Sequence, residues 1–154
     1  MAEKSLFELL KKIIEKSTLT AVSATSSGEG ITLSNGVITQ VQINTLAVAR
    51  GVDSDFTLSN GGVKCNFDGY IEVCGSVYVS AGSGTYAEGC YIYKNSAEVT
   101  SMLLGSDSGG RSVAPKIISV SSGDIIYLKG RSNNSGSTLY PNNSATYLTI
   151  KRIN

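Results

Sequence analysis

The stretch Asp68-Gly69-Tyr70-Ile71-Glu72-Val73-Cys74-Gly75-Ser76-Val77-Tyr78-Val79 is a turn followed by a strand-like run with no face suited to water. Side chains alternate sides along a strand. Ile71, Val73, Val77 and Val79 therefore share one face, and Tyr70, Cys74, Ser76 and Tyr78 share the other, with Glu72 as its only charge. A sheet wetted on one side alternates apolar with polar residues. This run instead predicts a β-sandwich strand with one face in the core and the opposite face against another subunit.

The rest of the chain suits such a domain. Its 154 residues allow one domain with a real core and a short extension. Gly, Ser and Asn punctuate short runs of Val, Ile, Thr and Tyr, which is the composition of an all-β fold. Charged residues are 16% of the chain and the net charge is +1, so no electrostatic footprint points to nucleic acid or to an anionic membrane as partner. No apolar run is long enough for membrane insertion, and the N-terminus, with Glu3, Glu8 and Glu15, is not a secretory segment. Cys65, Cys74 and Cys90 are odd in number and lack a secretory context, which predicts free, reduced thiols. With no histidine and no closely spaced cysteines, zinc is not expected, and no other cofactor is implied.

Residues 1–17 read as an amphipathic helix. Leu6, Leu9, Leu10, Ile13 and Ile14 fall at helical spacing. Ser5 with Glu8 has the form of a capping box, and Lys11, Lys12 and Lys16 lie where the helix dipole favours cations. A helix this short is marginal alone, so its stripe needs cover. The expectation is an anchor onto other proteins or a bundle between subunits, with packing on its own domain as the alternative. Residues 18–44 are open between a linker and first strands. Residues 45–154 form the main domain, with strands expected at Thr45–Ala49, Phe56–Leu58, Val63–Phe67, Tyr70–Val79, Gly89–Lys94, Glu98–Leu104, Lys116–Val120, Ile125–Gly130 and Thr146–Ile153. The connections are mostly tight, which predicts antiparallel pairing in a sandwich, jelly roll or barrel.

Four stretches of this domain carry a resemblance. Phe56-Thr57-Leu58-Ser59-Asn60-Gly61-Gly62-Val63 followed by Asp68-Gly69-Tyr70-Ile71-Glu72-Val73 is a glycine–tyrosine strand entry. Tyr91-Ile92-Tyr93-Lys94-Asn95 is a strand ending in a Lys-Asn turn. Ser122-Gly123-Asp124-Ile125-Ile126-Tyr127-Leu128 is a Gly-Asp strand, and Tyr147-Leu148-Thr149-Ile150-Lys151-Arg152-Ile153 is a closing strand. In this order they resemble the C1q/TNF-like jelly roll, in the version found in bacteriophage structural proteins. Ser96-Ala97 stands where the family usually has a glycine. The closing strand lacks the Phe-x-Gly-type ending of extracellular members, which turns the match toward phage proteins.

The resemblance implies an all-β, C1q/TNF-like jelly-roll sandwich, here with a short N-terminal α-helix, assembled as a homotrimer. Tyr70, Tyr78, Tyr91, Tyr93 and Tyr147 are candidates for the trimer interface, with packing inside one domain equally open. It further implies a virion protein made in the host cytoplasm. Either it is a tail or fibre adhesin that meets host-surface carbohydrate, or it is a capsid decoration or head-fibre protein with a mainly structural role. In both cases the N-terminal helix is expected to dock on other virion proteins.

Enzymatic constellations are scarce. Without histidine, Ser-His-Asp and Cys-His arrangements are impossible. Gly105-Ser106-Asp107-Ser108-Gly109-Gly110-Arg111-Ser112 has P-loop spacing with Arg in the Lys position, but a strand pattern follows where a helix is needed. Asp53-Ser54-Asp55 reads as a solvated turn before it reads as a calcium ligand set. The place best suited to binding is the polar loop from Arg131 to Asn143. Arg131, Asn133, Asn134, Asn142 and Asn143 offer hydrogen bonds there, and Tyr140 offers a stacking face for a sugar; an ordinary surface loop is the alternative.

Overall fold

The computed structural model describes residues 21–51, 53–80, 88–104 and 109–153. In chain order the strands are β1 (Ala21–Thr25), β2 (Ile31–Thr32), β3 (Thr39–Gln40), β4 (Thr45–Arg50), β5 (Phe56–Ser59), β6 (Gly62–Cys65) and β7 (Gly69–Ser80). They continue with β8 (Glu88–Lys94), β9 (Ala97–Leu104), β10 (Gly109–Val120), β11 (Ile125–Ser132), β12 (Thr138–Leu139) and β13 (Tyr147–Ile153). They form two antiparallel sheets stacked as a jelly-roll-like sandwich. One is centred on β7, which pairs with β10 along one edge and with β13 and then β12 along the other; β13 continues to β1 and β4, and β12 to β2. The second is centred on β11, which pairs with β8 and then β9 on one side, and with β6–β5 and β3 on the other.

The core lies where the inward residues of the two sheets meet. Ile71, Val73, Val77 and Val79 of β7 are fully buried, as the alternation of the run demands. They join Leu148 and Ile150 of β13 and face Ile92, Ile126 and Leu128 of the β11 sheet in one cluster. Each such side chain contributes roughly 1.5–3 kcal/mol by leaving water. Gly75 interrupts the inward row of β7 because the sheets approach closely there: a Cβ would stand 3.0 Å from the Tyr147 carbonyl oxygen and 3.1 Å from Leu128 Cδ1. The β5–β6 hairpin turns on Asn60 and Gly61, at φ 51° and 72°, the backbone that matches the twist of paired strands. Residues 21–44 supply β1, β2 and β3, and they add Leu33, Val41 and Ile43 to the core.

The fold class expected from sequence needs correction. The described residues contain no α-helix; their helical element is a single 3-10 turn, Asp53–Asp55. Among the described residues the fold is an all-β sandwich whose core is built from strand and loop side chains. The helix expected over residues 1–17, with Leu6, Leu9, Leu10, Ile13 and Ile14, lies outside the described residues. The partner contacts assigned to that helix, between subunits and with other virion proteins, are withdrawn with it. Five apolar residues at helical spacing state only that a stripe exists, and a stripe of this length does not define a helix without a surface to pack on.

Candidate functional site

The outward side of the β7 sheet is the first candidate surface. Strand register sets its rows. Tyr70 lies between Ser119 of β10 and Ile153 of β13, Glu72 between Ile117 and Lys151, and Ser76 between Ser112 and Tyr147, while Cys74 faces Thr149. Beyond β13, Lys151 pairs with Ala21 and Thr149 with Ser23 of β1. The outward positions of β7, β13 and β1 carry two charges, Glu72 and Lys151, and these are direct cross-strand partners. Tyr70 is 58% exposed and Ile117 60%, so two large apolar groups stand in water at the centre and edge of a low-charge face. Cys74 sits half-buried in the same face; partial burial, and then the charge of Glu72, push its thiol pKa up.

The five candidate interface tyrosines do not share one face. Tyr70, Tyr78 and Tyr147 point outward from the β7 sheet. Tyr91 and Tyr93 belong to β8 of the other sheet, where Tyr91 is buried and Tyr93 lies under the Lys129 ammonium, 3.9 Å from the ring centroid.

The candidate glycan loop is likewise divided. Arg131 is an outward residue at the end of β11, with Nη2 beside Gly36 and Nε shielded from water without a hydrogen-bond partner. The turn after it is held from within: Ser132 Oγ accepts the Asn134 N–H at 3.1 Å and bonds the Ser137 hydroxyl at 2.9 Å, and Asn133 is left exposed. Tyr140, Asn142 and Asn143 follow β12, on the side of the β7 sheet. Tyr140 meets Tyr78 edge-on, with centroids 6.1 Å apart. The buried Thr146 hydroxyl locks the pair by donating to the Tyr140 carbonyl and accepting the Tyr78 N–H, both at 2.8 Å. Asn143 spends its side-chain oxygen on the Ala145 N–H, and Asn142 is exposed.

A third group escaped the sequence reading. The outward residues of β11 are Ile125, Tyr127, Lys129 and Arg131, and only the last was singled out as a site residue. The signal was present as simple alternation along Tyr127-Leu128-Lys129-Gly130-Arg131, but it gains meaning only when β8 brings Tyr91 and Tyr93 alongside.

The remaining motifs are structural. Asp55 pairs with Arg152 at 2.9 Å and lies in no cluster of potential metal ligands; no group of three such residues occurs among the described residues. Residues 105–108 lie outside the described residues, and Gly109 opens a strand, so the P-loop spacing does not lead into a helix. Burial pushes the Cys65 and Cys90 thiols up to about 12, away from any nucleophilic role.

No protein-family model and no curated protein sequence matches the chain. Solved structures match in shape. Murine APRIL at pH 5.0 superposes with a TM-score of 0.60 at 13% identity, over 88% of this chain and 99% of that one. Eiger TNF from S. frugiperda gives 0.58 at 11% identity over 89% and 94%. PRD1 vertex protein P5 gives 0.56 at 14% identity over 89% and 73%. At these identities the likeness is one of fold: the chain has a jelly-roll fold similar to that of TNF-type proteins.

Proposed function

We propose that this chain is a non-enzymatic structural protein of a bacteriophage particle, displayed as a homotrimer that meets host-surface carbohydrate. The observation that carries the reading is the outward face of the β7 sheet, where Tyr70, Ile117, Tyr78 and Tyr147 stand on a surface with one compensated charge pair. Three copies meeting through this face would take those groups out of water and leave the opposite sheet exposed. The fold shared with a phage vertex protein supports a place on a virion. The absence of histidine from the sequence and the raised thiol pKa values of Cys65 and Cys90 speak for a binding or structural role.

Light scattering after size exclusion tests the assembly. A mass of three 16.1 kDa chains is expected. Tyr70→Arg and Ile117→Arg should each shift the protein toward monomer while the far-ultraviolet spectrum stays unchanged. A wild-type monomer at micromolar concentration would sink the trimer. A glycan array tests the carbohydrate contact, with Tyr140→Ala as the variant expected to lose it.

The vertex-protein likeness also favours a second reading, a capsid decoration or head-fibre protein with a mainly structural role. Restoration of stability to particles lacking the protein, with a silent glycan array, would select it.

A further inference from the structure

We infer that the outward face of the β11 sheet docks an acidic polysaccharide, one bearing carboxylate or phosphate groups. The inference rests on the carbohydrate reading above but uses a different face of the sandwich, with Arg131 as the residue common to both.

Three tyrosines and three cations lie on this side of the sheet; Tyr91 is buried, which leaves the half-buried Tyr93 and Tyr127 as the rings a ligand can reach. Tyr127, Lys129 and Arg131 alternate along β11, Tyr91 and Tyr93 lie beside them on β8, and Lys64 of β6 pairs with Ile125 at the far end. Two of the rings rest on positions kept bare by glycine. A Cβ on Gly62 would stand 2.8 Å from Tyr127 Cδ1, and one on Gly89 would stand 2.6 Å from Tyr91 Cε2. Rings seated in this way are positioned before any ligand arrives, which lowers the ordering cost of binding.

The cations are not spent on carboxylates. Lys129 is held by aromatic rings, 3.9 Å from the Tyr93 centroid and 5.9 Å from that of Tyr127. The ion pairs among the described residues are Lys94–Asp124 and Arg152–Asp55, and neither involves Lys64, Lys129 or Arg131. Glu98, outward on β9 opposite Tyr93, accepts the Ser101 hydroxyl at 2.6 Å and keeps its negative charge, which Lys64, Lys129 and Arg131 outnumber. Arg131 Nε is shielded from solvent, so a docked anion would meet this guanidinium through its terminal nitrogens. Apolar sugar faces suit the tyrosines, and an acidic substituent suits the guanidinium and the ammonium. Nucleic acid is disfavoured because the sequence carries none of the nucleic-acid-binding motifs, and an oligonucleotide is therefore the competing ligand in the test. The face lies on the far side of the sandwich from Tyr70 and Ile117, so trimerisation through the β7 sheet leaves it open.

The test passes the full chain over immobilised polygalacturonate, a glycerol-phosphate polymer, neutral dextran and a single-stranded oligonucleotide, at low and high salt. Retention on at least one of the two acidic polymers, falling as salt rises, is expected, and the preferred polymer separates carboxylate from phosphate recognition. Lys129→Gln with Arg131→Gln should weaken retention about tenfold or more. Tyr127→Ala should weaken it with an unchanged far-ultraviolet spectrum, and Tyr140→Ala should leave it intact. No retention on either acid, indifference to the paired substitution, or tighter binding of the oligonucleotide would overturn the inference. Retention on dextran that is lost only in Tyr140→Ala would overturn it while leaving the carbohydrate reading in place. A silent glycan array together with salt-insensitive passage through every column would remove both.

Discussion

The Asn95 side-chain amide donates to Asp124 Oδ1 at 2.8 Å, while its carbonyl oxygen accepts the Ile125 N–H at 2.9 Å. These bonds tie the β8–β9 turn to the start of β11. Asp124 Oδ2 in turn accepts the Ser121 N–H at 2.9 Å and lies 3.5 Å from Lys94 Nζ. The Lys-Asn turn and the Gly-Asp strand entry, far apart in the chain, are two halves of one polar clasp.

Asn95→Ala should therefore destabilise by about 2–4 kcal/mol, combining lost hydrogen bonds with an unfavourable left-handed backbone. Asn95 sits at φ 55°. Asn95→Gly relieves the backbone part and should recover about 1 kcal/mol. Urea denaturation of the two variants beside wild type measures the difference; equal midpoints for both would show that the backbone conformation contributes nothing.

The clasp also predicts a pH dependence. Burial pushes the Asp124 carboxyl up, but the Ser121 N–H, the Asn95 amide and Lys94 together hold it below the ordinary carboxylate value of 3.8. A carboxylate with a lowered folded-state pKa adds stability that is present above its unfolded value and is lost as pH falls through the folded one. Unfolding free energy measured from pH 6 down to pH 2 should fall less steeply for Asp124→Asn than for wild type below about pH 4. Parallel curves would exclude the contribution.

Gly62→Ala should cost about 1–3 kcal/mol, the usual range for an overpacked site. Its Cβ would stand 2.7 Å from the Ile126 carbonyl oxygen, a backbone atom of the neighbouring strand. The same methyl displaces Tyr127, so near-ultraviolet dichroism should change along with the denaturation midpoint. A stable variant with an unchanged aromatic signal would show that the ring does not rest there.

Among the thiols, Cys74 should react first with a disulfide reagent in the folded protein. Cys65 and Cys90 are buried and pushed to about 12, so they should label only as fast as the protein unfolds. Mass spectrometry of partially labelled protein assigns the order, and early modification of Cys90 would contradict the burial described.

Much of the sandwich was legible because its hairpins are local. Asn60-Gly61 marks the β5–β6 turn by chemistry that few other residues offer, and β7 shows itself by alternation over its whole length. The first half of β10 was hidden. Gly109 and Gly110 read as a break, and Pro115 falls inside the strand. Pro115 is tolerated because register shifts between Val113 and Lys116, on a strand that among the described residues pairs with β7 alone. β12, at two residues, is too short to carry a period. For the candidate surfaces, alternation tells which residues share a face of one strand but not which strands share a sheet. That is why Tyr91 and Tyr93 were grouped with Tyr70, and why Lys129 went unnoticed until β8 and β11 were seen side by side.

The pairing of β1 with β13 carries a consequence for synthesis. Val22 lies opposite Ile150, so β1 must wait for β13, the most distant described strand in chain order, before the two can pair. Until then β1, with the buried positions Val22 and Ala24, has β4 as its partner among the described strands. Loop closure over such a span is slow, and an unpaired apolar edge is open to neighbouring chains in the meantime. Yield in soluble form should thus depend on temperature and expression rate more strongly than the equilibrium stability of the finished sandwich would suggest.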